Sequence, residues 1–207
     1  MKNKSNFTGM LLEDVQVALT AFRETSGEAA KRNLVRTAYS AIEGAAWIFR
    51  EHVVDALRTS YGLTPDEEAF LADLTYSVSA AGKISSQPRY MSTLTSIRLV
   101  SRISERVAPS TKIDFSESGW AKLQAATALR NRLTHPKAPS DLDVSETEAE
   151  DCIAAMFWLF DETSKVMEAT NTAVRTYLGE FRYVLSELKS LNPEMLALYE
   201  KELRDLD

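Results

Sequence analysis

Leu34, Ala38, Ile42, Ala45, Phe49, Val53 and Ala56 recur every three or four positions, the period of a helix with one buried face. The chain from about Glu28 to Ser60 must therefore run as one long helix, and other elements must cover its apolar side. Thr25-Ser26-Gly27-Glu28 just before it has the form of a capping box, in which a hydroxyl and a carboxylate satisfy free amides at a helix start. Tyr61-Gly62 closes it. The expected fold is all-α: an up-and-down bundle of about six to seven helices with short connections.

The other boundaries are read in the same way. Met10, Leu11, Val15, Ala18, Leu19 and Phe22 predict an amphipathic first helix over about 8–24. Thr64-Pro65-Asp66-Glu67 combines a cap, a first-turn proline and a Glu three residues on, and opens a helix expected to fade near Ala81-Gly82. Lys83 to Gln87 reads as a linker. A basic helix is expected from after Pro88 to about Val107, and a loop over Ser110 to Ser116. The next helix runs from about Glu117 to Thr134, halted by His135-Pro136, because a residue before proline is pushed out of helical geometry. Ser145-Glu146-Thr147-Glu148 is a further capping box, opening a long helix that continues to about Leu188 with a kink allowed near Asn171. Asn192-Pro193 starts a terminal helix over about 193–205. No useful β-alternation, internal repeat or low-complexity tract is evident, and the whole of 1–207 is read as one helical domain.

Composition sets limits on function. Seven Gly and six Pro in 207 residues suit helices. The single Cys152 excludes an internal disulfide and suits a reducing compartment, and no apolar run approaches the roughly 20 residues that cross a bilayer. The N-terminal residues lack the form of a signal peptide, so a cytoplasmic protein with no membrane partner is expected. A net charge of −6 argues against general coating of nucleic acid, but the charge is uneven. Lys83 to Lys137 holds ten Lys/Arg and three acids (Glu105, Asp114, Glu117), leaving fourteen bases and twenty-seven acids elsewhere. Within this basic middle, Arg98, Arg102 and Arg106 at spacing four are read first as a solvated helix face. Two His and one Cys, far apart in the chain, give no zinc site, and no glycine-rich phosphate loop is present; no cofactor is expected.

The chemistry concentrates in Arg130-Asn131-Arg132-Leu133-Thr134-His135. At about 100° per residue, with Arg130 at zero, Leu129, Leu133 and Ala126 share a core stripe near 260–320°. Thr134, Thr127, Asn131, Gln124 and His135 share a polar stripe near 40–140°, with Trp120 inside it and Arg130 on its border. An imidazole exchanges protons near neutrality, a guanidinium matches a phosphate, and an amide positions either. That set suits RNA cleavage by a 2′-hydroxyl on its neighbouring phosphate, which needs a proton acceptor, a proton donor and a cation for the crowded phosphorane. One His cannot fill both proton roles; two copies facing across a two-fold axis could.

Ala128-Leu129-Arg130-Asn131-Arg132-Leu133-Thr134-His135-Pro136 resembles the signature of the HEPN superfamily (higher eukaryotes and prokaryotes nucleotide-binding), an Arg followed by a polar residue and, after four to six residues, a His. Asp141-Leu142-Asp143-Val144-Ser145 adds to the likeness, which covers about 28–170; the first and last helices lie outside it or elaborate it. The resemblance implies a metal-independent endoribonuclease acting as a homodimer, of the kind found among toxins and antiviral-defence proteins, with Arg130, Asn131 and His135 carrying catalysis. It also implies an RNA substrate and leaves room for an antitoxin or defence-system protein as partner. Glu43 or Tyr39, at spacing four on the second helix, could orient Arg130, although a surface Glu and a packed Tyr is the preferred reading. Thr127 belongs to the polar stripe; Arg132, at about 200°, points elsewhere and suits the surface or an RNA-backbone contact. The alternative function is a non-catalytic module that binds RNA, a nucleotide or a protein, with Arg130 in a structural pair and His135 capping the last carbonyls of its helix. His52 reads as a partly buried packing residue. Phe157, Trp158 and Phe160 suit core or a dimer surface. Ala121, Ala125 and Ala128 form a small-residue ridge fit for close helix approach.

Overall fold

The computed structural model describes residues 4–25 and 27–205. Within them lie seven α-helices: α1 (Lys4–Thr25), α2 (Glu28–Thr59), α3 (Pro65–Leu71), α4 (Thr93–Ser104), α5 (Ser118–Thr134), α6 (Glu146–Lys189) and α7 (Pro193–Asp205). A two-stranded antiparallel hairpin, β1 (Leu74–Val78) and β2 (Ile84–Pro88), and a short 3-10 turn, Pro139–Leu142, complete the order. The all-α bundle expected from the sequence is the architecture observed, with this hairpin as its one departure.

Helix α2 is the central post. Its buried stripe includes Leu34, Ala38, Ile42, Ala45, Phe49, Val53 and Ala56, and α1, α4, α5 and α6 pack around it. The first helix is a full member of the core, since Val15, Ala18 and Phe22 are buried with Leu34, Leu123 and Met156. Gly44 allows its close approach: a Cβ there would lie 2.4 Å from Leu11 Cδ1. A second cluster, with Phe49, Val53, Leu57, Val100, Ile103 and Val166, fills the other end of α2. Deleting one of these fully buried Leu, Ile or Phe side chains costs about 2–5 kcal/mol, so the bundle rests on this single helix.

The caps at Thr64 and Ser145 form as expected. Glu67 N–H donates to Thr64 Oγ1 at 3.3 Å and Thr64 N–H to Glu67 at 2.8 Å; for Ser145 and Glu148 the pair is 3.1 and 2.8 Å. The box expected over Thr25 to Glu28 does not form. Gly27 is the N-cap of α2 without a side-chain bond, and the Thr25 hydroxyl turns back to Ala21 O at 2.8 Å; Ser26 lies outside the described residues.

The larger correction is in the basic middle. The helix opened by Pro65 stops at Leu71, and Asp73, with φ +51°, turns the chain. Leu74, Tyr76 and Val78 then alternate with Thr75 and Ser77 in β1, so the stretch read as helix and linker is a hairpin. β-branched and aromatic residues favour this extended form, and Gly82, at φ +74°, supplies the turn conformation other residues avoid. The basic helix is consequently shorter than predicted and begins at Thr93.

At the far end α6 passes Asn171 as one continuous element. Its 44 residues span about 66 Å at about 1.5 Å per residue. Its last buried side chain is Thr170; Ala173 and Val174 still pack against the second cluster, and beyond them the end of α6 and α7 bury no described residue, with Phe181, Leu191 and Tyr199 more than half exposed. Among the described residues no helix is long and apolar enough to cross a membrane.

Candidate functional site

One stripe of α2 builds the site. Arg32, Arg36, Tyr39, Glu43 and Arg50, spaced by three, four or seven residues, point the same way from the helix. Arg32 Nη1 donates to Leu142 O at 3.2 Å and Arg36 Nη2 to Leu133 O at 3.3 Å, so two arginines hold the end of α5 and the loop after it. One turn on, Tyr39 is buried and its hydroxyl lies 3.1 Å from Thr127 Oγ1, whose own hydroxyl donates to Leu123 O at 2.8 Å.

Arg130 leans on this stripe. Its Cζ lies 5.2 Å from the Tyr39 ring centroid, Nη2 donates to Glu43 Oε1 at 3.0 Å, and Nη1 donates to Asn131 Oδ1 at 3.2 Å. The two side chains of the ion pair are 34% and 41% exposed, and a pair that wet is worth only about 0–1 kcal/mol. Its consequence is orientation. Glu43, Tyr39 and Asn131 fix the guanidinium from three sides, and each of the two bonds uses one of its five N–H donors. The acid-and-ring support that the sequence placed second to simple packing is thus present in the geometry.

Asn131 joins both ends of the motif: its amide oxygen accepts from Arg130, and its carbonyl accepts from His135 N–H at 3.0 Å. His135 is the C-cap of α5, with φ −125° and ψ +58°, just outside helical geometry, as the following proline requires. Its ring is exposed and makes no hydrogen bond among the described residues. The ring therefore caps none of the last carbonyls of α5, one of which, Leu133 O, accepts from Arg36 instead. Beyond Pro136 the loop is tied down by Asp141, whose Oδ2 accepts from Lys137 N–H at 2.6 Å and Ala138 N–H at 2.9 Å. These two amides hold the Asp141 carboxyl below its ordinary range.

Other expected positions lie apart from this cluster. Arg132 pairs with Glu148 at 2.9 Å and so tethers α5 to the capping box of α6. Trp120, placed by the helical wheel in the polar stripe, is 4% exposed and sits 4.7 Å from Phe115 and 6.2 Å from Trp158 between ring centroids. The wheel misplaces it because Phe115, from the preceding loop, folds over that side of α5. Arg98 is not merely solvated: its guanidinium lies 4.7 Å from the Phe115 centroid and 4.8 Å from that of Trp120. Arg106 pairs with Glu67 at 2.6 Å. His52 is half-buried, with Nε2 2.9 Å from Thr170 Oγ1. Ala121, Ala125 and Ala128 lie exposed on α5.

Arg32 and Arg36 were missed by the sequence reading. Their spacing on the face shared with Tyr39 and Glu43 was the available signal. Among the described residues no group of three or more His, Cys, Asp or Glu is placed to hold a metal ion. Compared with protein-family models, curated proteins and solved structures, the chain gives no match.

Proposed function

We propose that this protein is a metal-independent endoribonuclease acting as a homodimer. The 2′-hydroxyl attacks the adjacent phosphorus, the bond to the 5′-oxygen breaks, and the products carry a 2′,3′-cyclic phosphate and a 5′-hydroxyl. His135 of one copy takes the 2′-hydroxyl proton and the imidazole of a second copy protonates the leaving oxygen. Arg130 stabilises the phosphorane charge and Asn131 positions it. The observation that carries this reading is the Arg130 guanidinium steadied by Glu43 and Tyr39 while Asn131 and His135 stand exposed beside it. The likeness of this motif to the HEPN signature supports the same chemistry, and a toxin or antiviral-defence setting with a neutralising protein partner goes with it. Pure protein incubated with RNA in EDTA is expected to produce cyclic-phosphate ends, and full cleavage by His135→Ala would remove the mechanism.

A second reading follows from one observation: Glu43 neutralises Arg130. Under it the protein is a non-catalytic module for RNA, nucleotide or protein binding, including dimerisation. Binding without turnover, unchanged by His135→Ala, would select it.

A further inference from the structure

The hairpin β1–β2 contributes nothing to the core. Every residue of both strands is exposed, and an isolated two-stranded hairpin is at best marginal in water. It is instead fastened at its root. Arg50 Nη1 pairs with Asp73 Oδ2 at 2.7 Å and Nη2 bonds Leu71 O, while Arg89 N–H donates to Asp73 O at 2.7 Å. Arg50 lies seven residues from Glu43 on the same face of α2, so root and candidate site are about 10 Å apart along that helix. Strands of five residues extend about 17 Å.

What the hairpin displays is specific. Between Asp73 and Glu105 the chain carries no acid and four bases, Lys83, Arg89, Arg98 and Arg102, in a protein of net charge −6. Tyr76, on β1, is 62% exposed, and Tyr90, two residues past β2, is 83% exposed. Ser77 and Ser85 pair their hydroxyls at 2.8 Å on the opposite face from Tyr76. Exposed rings beside Lys83 and Arg89, on strands that themselves carry no carboxylate, match the sequence-tolerant recognition of single strands by stacking and backbone charge. A paired duplex offers no base face to such rings.

We propose that this hairpin is an arm that grips single-stranded RNA beside the Arg130 site, a role resting on the RNA-directed reading above. Tyr76 and Tyr90 stack on bases, and Lys83 and Arg89 track the phosphates. The strand then continues across α2 to Arg130, so the arm sets affinity for long substrates and leaves the bond-breaking step to the motif.

The test uses the full chain carrying His135→Ala, with a fluorescein-labelled single-stranded RNA of about twenty nucleotides followed by anisotropy in EDTA. Tyr76→Ala and Tyr90→Ala, both at exposed sites, are each expected to weaken binding about fivefold or more with unchanged circular dichroism. Lys83→Ala should lower the steepness of the salt dependence by about 0.7 per lost contact. With His135 intact, the tyrosine variants should raise KM for that RNA and leave the cleavage rate of a dinucleotide unchanged. Wild-type affinity in both tyrosine variants, with RNA still bound and cut, would overturn the arm and leave the nuclease reading standing. Absence of both RNA binding and cleavage in the unaltered protein would remove the nuclease reading itself. Loss of self-association or of a protein partner in the tyrosine variants, without change in RNA affinity, would also overturn the arm by making it a protein-binding surface.

Discussion

Gly119→Ala tests how the motif helix is seated. A Cβ at Gly119 would lie 2.1 Å from Trp158 Cγ, 2.2 Å from Cδ1 and 2.5 Å from Cδ2, against about 3.5–4.0 Å for a relaxed carbon contact. The colliding atoms are the root of the indole, so a rotation at its tip gives no relief. The ring is also held, with Nε1 donating to Glu117 Oε2 at 2.8 Å and Trp120 packed against it. Either α5 lifts from α6 or the indole leaves its place. Overpacking of this kind costs about 1–3 kcal/mol and the displaced hydrogen bond about 1 kcal/mol. Alanine offsets about 1 kcal/mol through its helix preference over glycine, which leaves a net loss of about 1–3 kcal/mol. For a chain this long, melting should fall by about 3–10 °C. Gly179→Ala in α6, with nothing within 4 Å of its Cβ, has the same propensity gain without the clash and should be stabilised by about 0.5–1 kcal/mol. Calorimetry or urea unfolding of both variants decides the matter. A Gly119→Ala protein as stable as the parent, beside a Gly179→Ala protein that gains, would refute the close seating of α5 on Trp158.

Glu43→Gln keeps the shape but loses the charge that orients Arg130. Under the proposed nuclease function, cleavage should fall about tenfold to hundredfold in kcat with melting unchanged within about 0.5 kcal/mol, since so exposed a pair adds little stability; unaltered kcat would deny Glu43 a positioning role. Asp141 is held below its ordinary carboxylate range by the Lys137 and Ala138 amides. Its contribution to the loop after His135 is therefore complete above the ordinary value and lost as pH falls through the lowered one. Asp141→Asn should speed hydrogen exchange at those two amides at neutral pH, and unchanged exchange would count against the tether. Burial pushes the Cys152 thiol up to about 12, so a thiol reagent at pH 8 should modify it only after unfolding; rapid labelling of native protein would contradict its sealed position.

Where one period dominates, sequence and structure agree. The α2 stripe, the boxes at Thr64 and Ser145 and the stop at His135-Pro136 are local rules that tertiary packing reinforces. The hairpin was hidden because its strands bury no residue on either side, so the contrast between inward and outward faces that marks a strand is weak. Its one local sign, Leu74, Tyr76 and Val78 alternating with Thr75 and Ser77, lies directly after a well-capped helix start. Trp120 was misassigned for a different reason. A wheel describes one helix, and Phe115, which covers that face, comes from a loop whose path it does not contain. Arg130, Asn131 and His135 could be named because their chemistry is local to one helix end. The α2 groups that aim Arg130, Tyr39 and Glu43, come from about ninety positions earlier in the chain, and only the packing of α2 against α5 brings them together.

That packing explains why a weak ion pair can matter. Arg130 at the border of a buried stripe would be free to swing into solvent if only α5 held it. Tyr39 closes one side by packing, Glu43 another by charge, and Asn131 connects the guanidinium to the turn that presents His135. Arg36, one turn before Tyr39, donates to one carbonyl, Leu133 O, near the end of α5. The cost of ordering a long cationic side chain is met here during folding, so under the proposed function little of it would remain for phosphate binding. The hairpin root at Arg50 continues the same stripe. One face of one helix therefore orients the cation, seats the imidazole-bearing turn and anchors the hairpin root, and a displacement of α2 would disturb all three together.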